Sequence, residues 1–202
     1  MRASRRFLPA SLVVCVALVT LAAEPRTTKQ DAERFRVKLN RILQVGNAPQ
    51  ARRAQPLSTP LTDVEINSYL RYGAADQIPA GIVEPTLNAL GNGRVGGRAV
   101  VDLDAVRKQK QRGWLDPMGY LSGRLPVTAT GRLTTSNGIG RFELESADIS
   151  GVPVPKAVLQ ELLTYYSRTP QDPAGINMDD PFALPSRIRE IRVGTGSATV
   201  VQ

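Results

Sequence analysis

Two long stretches of alternating apolar and polar residues, each broken by an Asn-Gly pair, constrain the fold more than any other feature. Around Gly91-Asn92-Gly93, and again around Ser136-Asn137-Gly138, every second side chain is apolar on both sides of the break. This alternation predicts strands with one apolar face, and Asn-Gly favours a tight hairpin turn. The sequence therefore predicts two antiparallel hairpins, in which the strand from Arg94 to Leu103 is about 33 Å long.

Three other segments follow the period of a helix. The first begins near Thr28, and the second begins at a capping box formed by Thr62 and Glu65. We expect Gly73 to end the second helix in the left-handed conformation. The third follows a Pro-rich connector, and a last pair of strands lies between Ile188 and Val200. Together these elements predict an α+β fold in which a long curved antiparallel sheet is wrapped around or packed against helices.

The N-terminus has the pattern of an export signal. Arg2, Arg5 and Arg6 precede an apolar run that ends in small residues. This arrangement predicts a signal peptide over residues 1–23, and hence a periplasmic or secreted protein after cleavage. An uncleaved membrane anchor is the competing interpretation, but the apolar run is short for a span and contains Pro9.

The chain after residue 23 divides into two parts that differ in their pattern of apolar residues and prolines. Residues 24–60 are interpreted as an N-terminal amphipathic helix followed by a Pro-rich linker from Asn47 to Pro60. Residues 61–202 hold the hairpins and the other helices, and are interpreted as a single α+β domain.

The absence of histidine excludes several classes of active site. The chain has no His and one Cys, which lies in the predicted signal, so Ser-His-Asp triads, Cys-His pairs and imidazole zinc sites are excluded. We therefore predict no catalytic residues, no metal and no cofactor, and expect a protein that is not an enzyme. Nucleic acid is not expected as a partner, because the chain is predicted to be exported and only 5% of it is aromatic.

Four segments carry a resemblance to a known family. The chain resembles small bacterial envelope proteins of the tubular lipid-binding (TULIP) type, most closely the YceB-like periplasmic lipoproteins and more distantly the LmeA group. The resemblance covers most of the mature chain, and its segments are Leu61 to Leu70, Gly97 to Asp104, Gly123 to Val127 and Ile191 to Val193. It implies a curved sheet around a helix with an elongated apolar groove for acyl chains. The resemblance does not imply a lipid anchor for this chain, because Cys15 is not in a convincing lipobox.

The resemblance also implies which residues line the groove. They are the apolar phase of the hairpin strands and the apolar positions of the third helix. The set is Leu87, Ala89, Ala99, Val101, Leu125, Val127, Phe142 and Leu144 from the strands, with Leu159, Leu162, Leu163 and Tyr166 from the helix. The opposing interpretation is that these side chains fill one another and leave no cavity, which is the default use of regularly spaced aliphatic residues.

Charged residues between and along the strands have two interpretations. The basic run Arg107, Lys108, Lys110 and Arg112 would hold a phospholipid headgroup or contact an anionic membrane surface, or would form a solvated loop. Acidic pairs such as Asp102 with Asp104 fall on the polar phase, which suits solubility better than acid-base catalysis. We therefore expect an exported, non-enzymatic protein that binds or shields lipid or another apolar ligand in the bacterial envelope. The alternative is a structural or protein-interaction module with a filled core and no ligand.

Overall fold

The computed structural model describes residues 26–49, 55–105, 123–168 and 173–202, apart from the side chain of Tyr166. Helix α1 spans Lys29–Asn47, helix α2 spans Asp63–Tyr72, and helix α3 spans Lys156–Ser167. The strands are β1 (Ser58–Thr62), β2 (Ile82–Gly91), β3 (Arg94–Asp102), β4 (Arg124–Ser136), β5 (Ile139–Ile149), β6 (Val152–Pro153), β7 (Phe182–Ala183), β8 (Glu190–Gly194) and β9 (Ser197–Val201). None of the helices in the described ranges is long and apolar enough to cross a membrane.

The strands form two antiparallel sheets. The larger sheet has six strands in the order β2-β3-β4-β5-β6, with β7 also paired to β5. The smaller sheet has three strands in the order β1-β9-β8. The predicted α+β class with an extended antiparallel sheet is confirmed, whereas the separation of the last strands into a second sheet was not predicted.

Both predicted hairpins are present, with the expected turn chemistry. Asn92 and Gly93 have φ values of 52° and 77°, and Asn137 and Gly138 have φ values of 50° and 82°. Two successive residues with positive φ match the turn whose twist suits a two-residue hairpin, and Asn and Gly tolerate that conformation best.

The predicted helix starts are also confirmed, while the predicted end of α2 is wrong. The Thr28 hydroxyl accepts a hydrogen bond from Asp31 N, and the capping box of Thr62 with Glu65 is complete. Gly73, however, has a φ of −123° and is not left-handed. A Cβ atom on Gly73 would lie 2.7 Å from the Tyr69 ring, so this position needs a glycine for space.

The Pro-rich linker was predicted to extend to Pro60, and this is wrong for its last three residues. Residues 58–60 belong to β1, and Thr59 is buried. Among the strands that the structure describes, β1 pairs with β9 alone. An edge strand tolerates proline because one side of it makes no ladder hydrogen bonds.

The principal buried cluster lies between α1 and the smaller sheet. It contains Ile42 of α1, Leu61, Leu184, Ile188 and Val200. Phe35, Ile66 and Ile191 pack against it. No residue of β2, β3, β4 or β5 belongs to this cluster, so the large sheet contributes its apolar side chains elsewhere.

An ion pair joins α1 to α2 at the edge of that cluster. Lys38 Nζ lies 2.7 Å from Glu65 Oε1 and also donates to the Pro60 carbonyl at 2.8 Å. Burial raises the pKa of Glu65, but hydrogen bonds from Lys38 and Thr62 outweigh it, so the pKa lies below its ordinary value. Glu65 is therefore held as a carboxylate.

Candidate apolar binding face

The register of the hairpins places the apolar side chains of β2 to β5 on one face. Val127 is paired with Ala99 on one side and with Ile149 on the other, and Leu125 is paired with Val101. Residues directly opposite in a sheet point to the same side. We call this side the apolar face, and its members are Leu87, Ala89, Val95, Ala99, Val101, Leu125, Val127, Ala129, Leu133, Phe142, Leu144, Ala147 and Ile149.

The larger side chains of the apolar face all keep contact with solvent. Ala89 and Ala147 are buried, Leu87 is 46% exposed, and the other members are half-buried. A close-packed core buries its large side chains and leaves them little accessible area. The apolar face is thus less completely covered than the cluster around Ile42 and Val200.

The opposite face of the same sheet is polar and internally paired. Arg94 Nε lies 2.7 Å from Glu145 Oε2, and Arg132 Nη2 lies 3.5 Å from Glu145 Oε1. Arg124 pairs with Asp102 at 3.2 Å. The sheet is therefore amphipathic, and most of the apolar side chains of its hairpins lie on the apolar face, where their contact with water is unfavourable.

A β-bulge carries the apolar phase to the end of β5. Thr130 is paired with Ser146 and Gly131 with Leu144, which leaves Glu145 as an extra residue. An extra residue shifts the alternation by one position. Ala147 and Ile149 consequently join Phe142 and Leu144 on the apolar face, although simple alternation from Leu144 would place Ser146 and Asp148 there.

Two aromatic rings lie across glycines on this side of the sheet. A Cβ atom on Gly131 would lie 2.3 Å from Phe142 Cζ, and one on Gly140 would lie 2.6 Å from Phe182 Cζ. Phe182 is paired with Gly140 and is 43% exposed. Because each ring covers a position without a side chain, the two glycines let bulky apolar groups lie flat on the sheet.

Helix α3 lies beside β5 and is tied to the loop that follows it. Gln160 Nε2 donates to the Ile176 carbonyl at 3.0 Å, and Gln160 Oε1 accepts from Met178 N at 2.8 Å. Lys156 also pairs with Asp179. The predicted groove residues Leu159, Leu162 and Leu163 are half-buried, and Val158 is exposed. The described side chains of α3 therefore remain partly accessible, as do those of the apolar face.

Apart from the leucines of α3, the sequence-predicted residues divide into two groups. The eight strand positions from Leu87 to Leu144 share one face, as the alternation predicted. The side chain of Tyr166 and the basic residues Arg107, Lys108, Lys110 and Arg112 lie outside the described residues. The sequence missed Phe182, because it lies in a Pro-rich stretch without alternation, and it missed Ala147 and Ile149 because of the bulge.

The acidic residues singled out by the sequence are held in pairs or hydrogen bonds. The pKa of Asp102 is lowered, first by the hydrogen bond from Ala105 N and then by the one from Arg124. Asp104 accepts from Gly123 N at 3.2 Å. Within the described ranges, no group of three or more metal-binding side chains is gathered in one place.

The comparisons with known proteins give one distant structural similarity. No protein-family model and no curated protein matches the chain. A crystal structure of lipopolysaccharide binding protein is similar over 72% of this chain and 40% of that one, with 15% sequence identity and a TM-score of 0.22.

Proposed function

We propose that this protein binds an acyl chain of a lipid along the apolar face, as a non-enzymatic component of the bacterial envelope after export. The observation that supports the proposal is that the large side chains on that face are only partly buried. An acyl chain removes apolar surface from water as it binds, at about 0.8 kcal/mol for each buried methylene. The face therefore has the chemistry to bind such a chain.

The dimensions of the face suit an extended acyl chain. From Leu125 to Leu133 it spans eight residue steps along β4, or about 26 Å at the usual rise per residue. Alanines at positions 99, 129 and 147 run across the middle of the face on three adjacent strands. Alanine side chains occupy little of the space above the sheet, while valines, leucines and Phe142 supply apolar contact around them.

A variant that fills this space separates the proposal from a filled core. In Ala129→Phe, a large ring is added at the centre of the face without any polar group. If the space is free for a ligand, the variant keeps its thermal stability and loses binding of a fluorescent fatty acid by about tenfold or more. If protein side chains already fill the space, the added ring lowers the free energy of unfolding by about 1–3 kcal/mol.

Ala32→Phe serves as the matched control, because Ala32 is buried in α1 at 5% exposure. The same added volume should destabilise the protein there. Extraction of lipid from the purified wild-type protein, followed by mass spectrometry, gives the second measurement. Bound lipid in the wild type and its loss in Ala129→Phe supports the proposal. If the wild type binds no lipid or fatty acid and Ala129→Phe destabilises it, the protein is instead a structural or interaction module.

The location of the protein is the other part of the proposal. The predicted signal over residues 1–23 lies outside the described residues, so this part depends on the sequence pattern. The mass of the protein recovered from a periplasmic or secreted fraction tests it, and we expect a chain that begins after Ala22 or Ala23. A full-length chain in the membrane fraction would show an uncleaved anchor instead.

A further inference from the structure

The outer edges of three strands are covered by side chains or by proline. Asn67 of α2 accepts a hydrogen bond from Leu87 N of β2 at 2.7 Å and donates one to the Leu87 carbonyl at 2.8 Å. The Thr135 hydroxyl makes the same two bonds to Ile191 of β8, at 2.8 Å and 3.0 Å. Strand β1 has Pro60, which has no N–H group to offer at its edge. Such coverage hinders the pairing of a strand edge with another chain.

The outer edge of β5 differs, because its central part has unpaired backbone groups. The turn of the second hairpin makes Ser136 and Ile139 a hydrogen-bonded pair. Such pairs alternate along an antiparallel ladder, so the N–H and C=O groups of Phe142 and Leu144 point away from β4. Within the described ranges, no hydrogen bond reaches these groups.

The two short strands that flank this part of β5 both leave its edge. Strand β7 covers the edge as far as Gly140. Asp180, which would continue that pairing, donates its N–H within its own loop at 3.3 Å. At the other end, Val154 N donates to the Ala147 carbonyl at 3.0 Å, and the next residue is Pro155, which has no N–H. The edge between these two points is therefore open for pairing.

The open edge, residues 141–146, carries two charged side chains that have no ion pair. It is about 20 Å long at the usual rise per residue. Arg141 and Glu143 are exposed on the polar face, and neither has an ion pair in the described part of the chain. Arg132, which lies opposite Glu143, is instead paired with Glu145. A partner at this edge thus meets one free cation and one free carboxylate, in a fixed order.

We propose that the open edge binds an extended segment of another protein, which pairs with β5 as an added antiparallel strand. The direction follows from β6 and β7, which are both antiparallel to β5 and lie in line with the open edge. Residues directly opposite in a sheet lie on the same side. The segment therefore has apolar residues opposite Leu144 and Phe142, a basic residue opposite Glu143 and an acidic residue opposite Arg141. From its N-terminus the order is apolar, basic, apolar, acidic.

A second copy of this chain is the alternative partner, and its shape does not suit the open edge. Its own β6 and β7 project from the same edge of its β5, and they would collide with β5 of the first copy. A single extended segment has no such neighbours. The inference goes beyond the proposed function and does not depend on binding of an acyl chain.

Two peptides of the same composition test the proposal in nuclear magnetic resonance titrations of the purified protein. The first is acetyl-Thr-Val-Lys-Val-Glu-Thr-amide, and the second is its charge-swapped form, acetyl-Thr-Val-Glu-Val-Lys-Thr-amide. We expect the first to shift the amide signals of Phe142 and Leu144 and to slow their hydrogen exchange. It should bind about fivefold more tightly than the second, because two cross-strand charge pairs change sign. Equal affinities, or unchanged signals of these two amides at millimolar peptide, would overturn the inference.

Variants of the protein provide the control. In the double variant Arg141→Glu with Glu143→Lys, the second peptide should bind about fivefold more tightly than the first. Arg98→Glu is the matched control, because Arg98 is exposed on the polar face of β3 and is separated from β5 by β4. It should keep the wild-type preference. A double variant that kept this preference would overturn the inference, as would a wild-type dimer in sedimentation that the double variant loses. Either result leaves the proposed function intact.

Discussion

Replacement of Lys38 by methionine tests how the two helices are joined. The side chain of Glu65 is 8% exposed and that of Lys38 is 30% exposed. In Lys38→Met the Glu65 carboxylate stays buried and keeps its hydrogen bond from Thr62 N, but loses its cation. The Pro60 carbonyl loses a donor at the same time.

The structure sets the size of the expected effect. Removing one partner of a fully buried ion pair costs about 3–5 kcal/mol. Because Lys38 retains nearly a third of its exposure, water replaces part of the lost interaction, and we expect about 2 kcal/mol. In a protein of this length that loss lowers the melting temperature by about 4–8 °C.

The pH dependence identifies the cause of the loss. In the wild type, the lowered pKa of Glu65 contributes stability above its ordinary value of 4.5, and this contribution disappears as the pH falls through the lowered pKa. In Lys38→Met, burial still disfavours the charged form of Glu65, and the hydrogen bond from Lys38 that favoured this form is gone. Glu65 therefore takes up its proton at a higher pH than in the wild type. The stability difference between the two proteins should therefore shrink as the pH falls below about 4.5.

Urea denaturation followed by circular dichroism measures this difference across pH 3 to 8. Lys29→Met is the matched control, because Lys29 is exposed in the same helix and its replacement should change stability by about 0.5 kcal/mol or less. A Lys38→Met variant as stable as the control at pH 7 would refute the role assigned to the ion pair. A difference that did not depend on pH would refute its electrostatic origin.

Three further substitutions test close contacts in the fold. Gly46→Ala places a Cβ atom 2.6 Å from Ser186 Cα, so it should lower stability by about 2 kcal/mol in urea denaturation, although alanine favours helices; a gain in stability would contradict the contact. Gly131→Ala places a Cβ atom 2.5 Å from the Glu143 carbonyl oxygen and also against the Phe142 ring. We expect the free energy of unfolding to fall by about 1–3 kcal/mol. An unchanged melting temperature would show that the ring is elsewhere. Asn67→Leu removes a side-chain amide that accepts a hydrogen bond from Leu87 N at 2.7 Å and donates one to the Leu87 carbonyl at 2.8 Å. The Leu87 amide hydrogen should then exchange faster, and the free energy of unfolding should fall by about 1–2 kcal/mol. Unchanged protection of that amide would contradict the pairing.

The features that the sequence predicted are local in the chain. The Asn92-Gly93 and Asn137-Gly138 turns, and the capping box of Thr62 with Glu65, each depend on a few neighbouring residues. Alternation then placed Val127 and Leu144 on one face without knowledge of their partners, because the period of a strand is fixed by backbone geometry.

The features that the sequence missed depend on distant residues or on irregular backbone. Strand β1 was hidden within a Pro-rich segment, and its partner β9 is more than a hundred residues away. The bulge at Glu145 shifts by one residue which side chains of β5 lie on the apolar face, and the composition of the strand does not change at that point. The partner of Glu65 is Lys38 on another helix, and spacing within α2 contains no information about it.

Contacts between a bound acyl chain and the apolar face test the central claim most directly. With uniformly ¹³C-labelled stearic acid added to the protein, intermolecular nuclear Overhauser effects report which methyl groups lie near the chain. The account predicts effects from the chain methylenes to the methyl groups of Val101, Val127 and Leu144. Effects confined to other residues, such as Ile42 and Val200 of the principal cluster, or an absence of any effects with saturating acid, would contradict it.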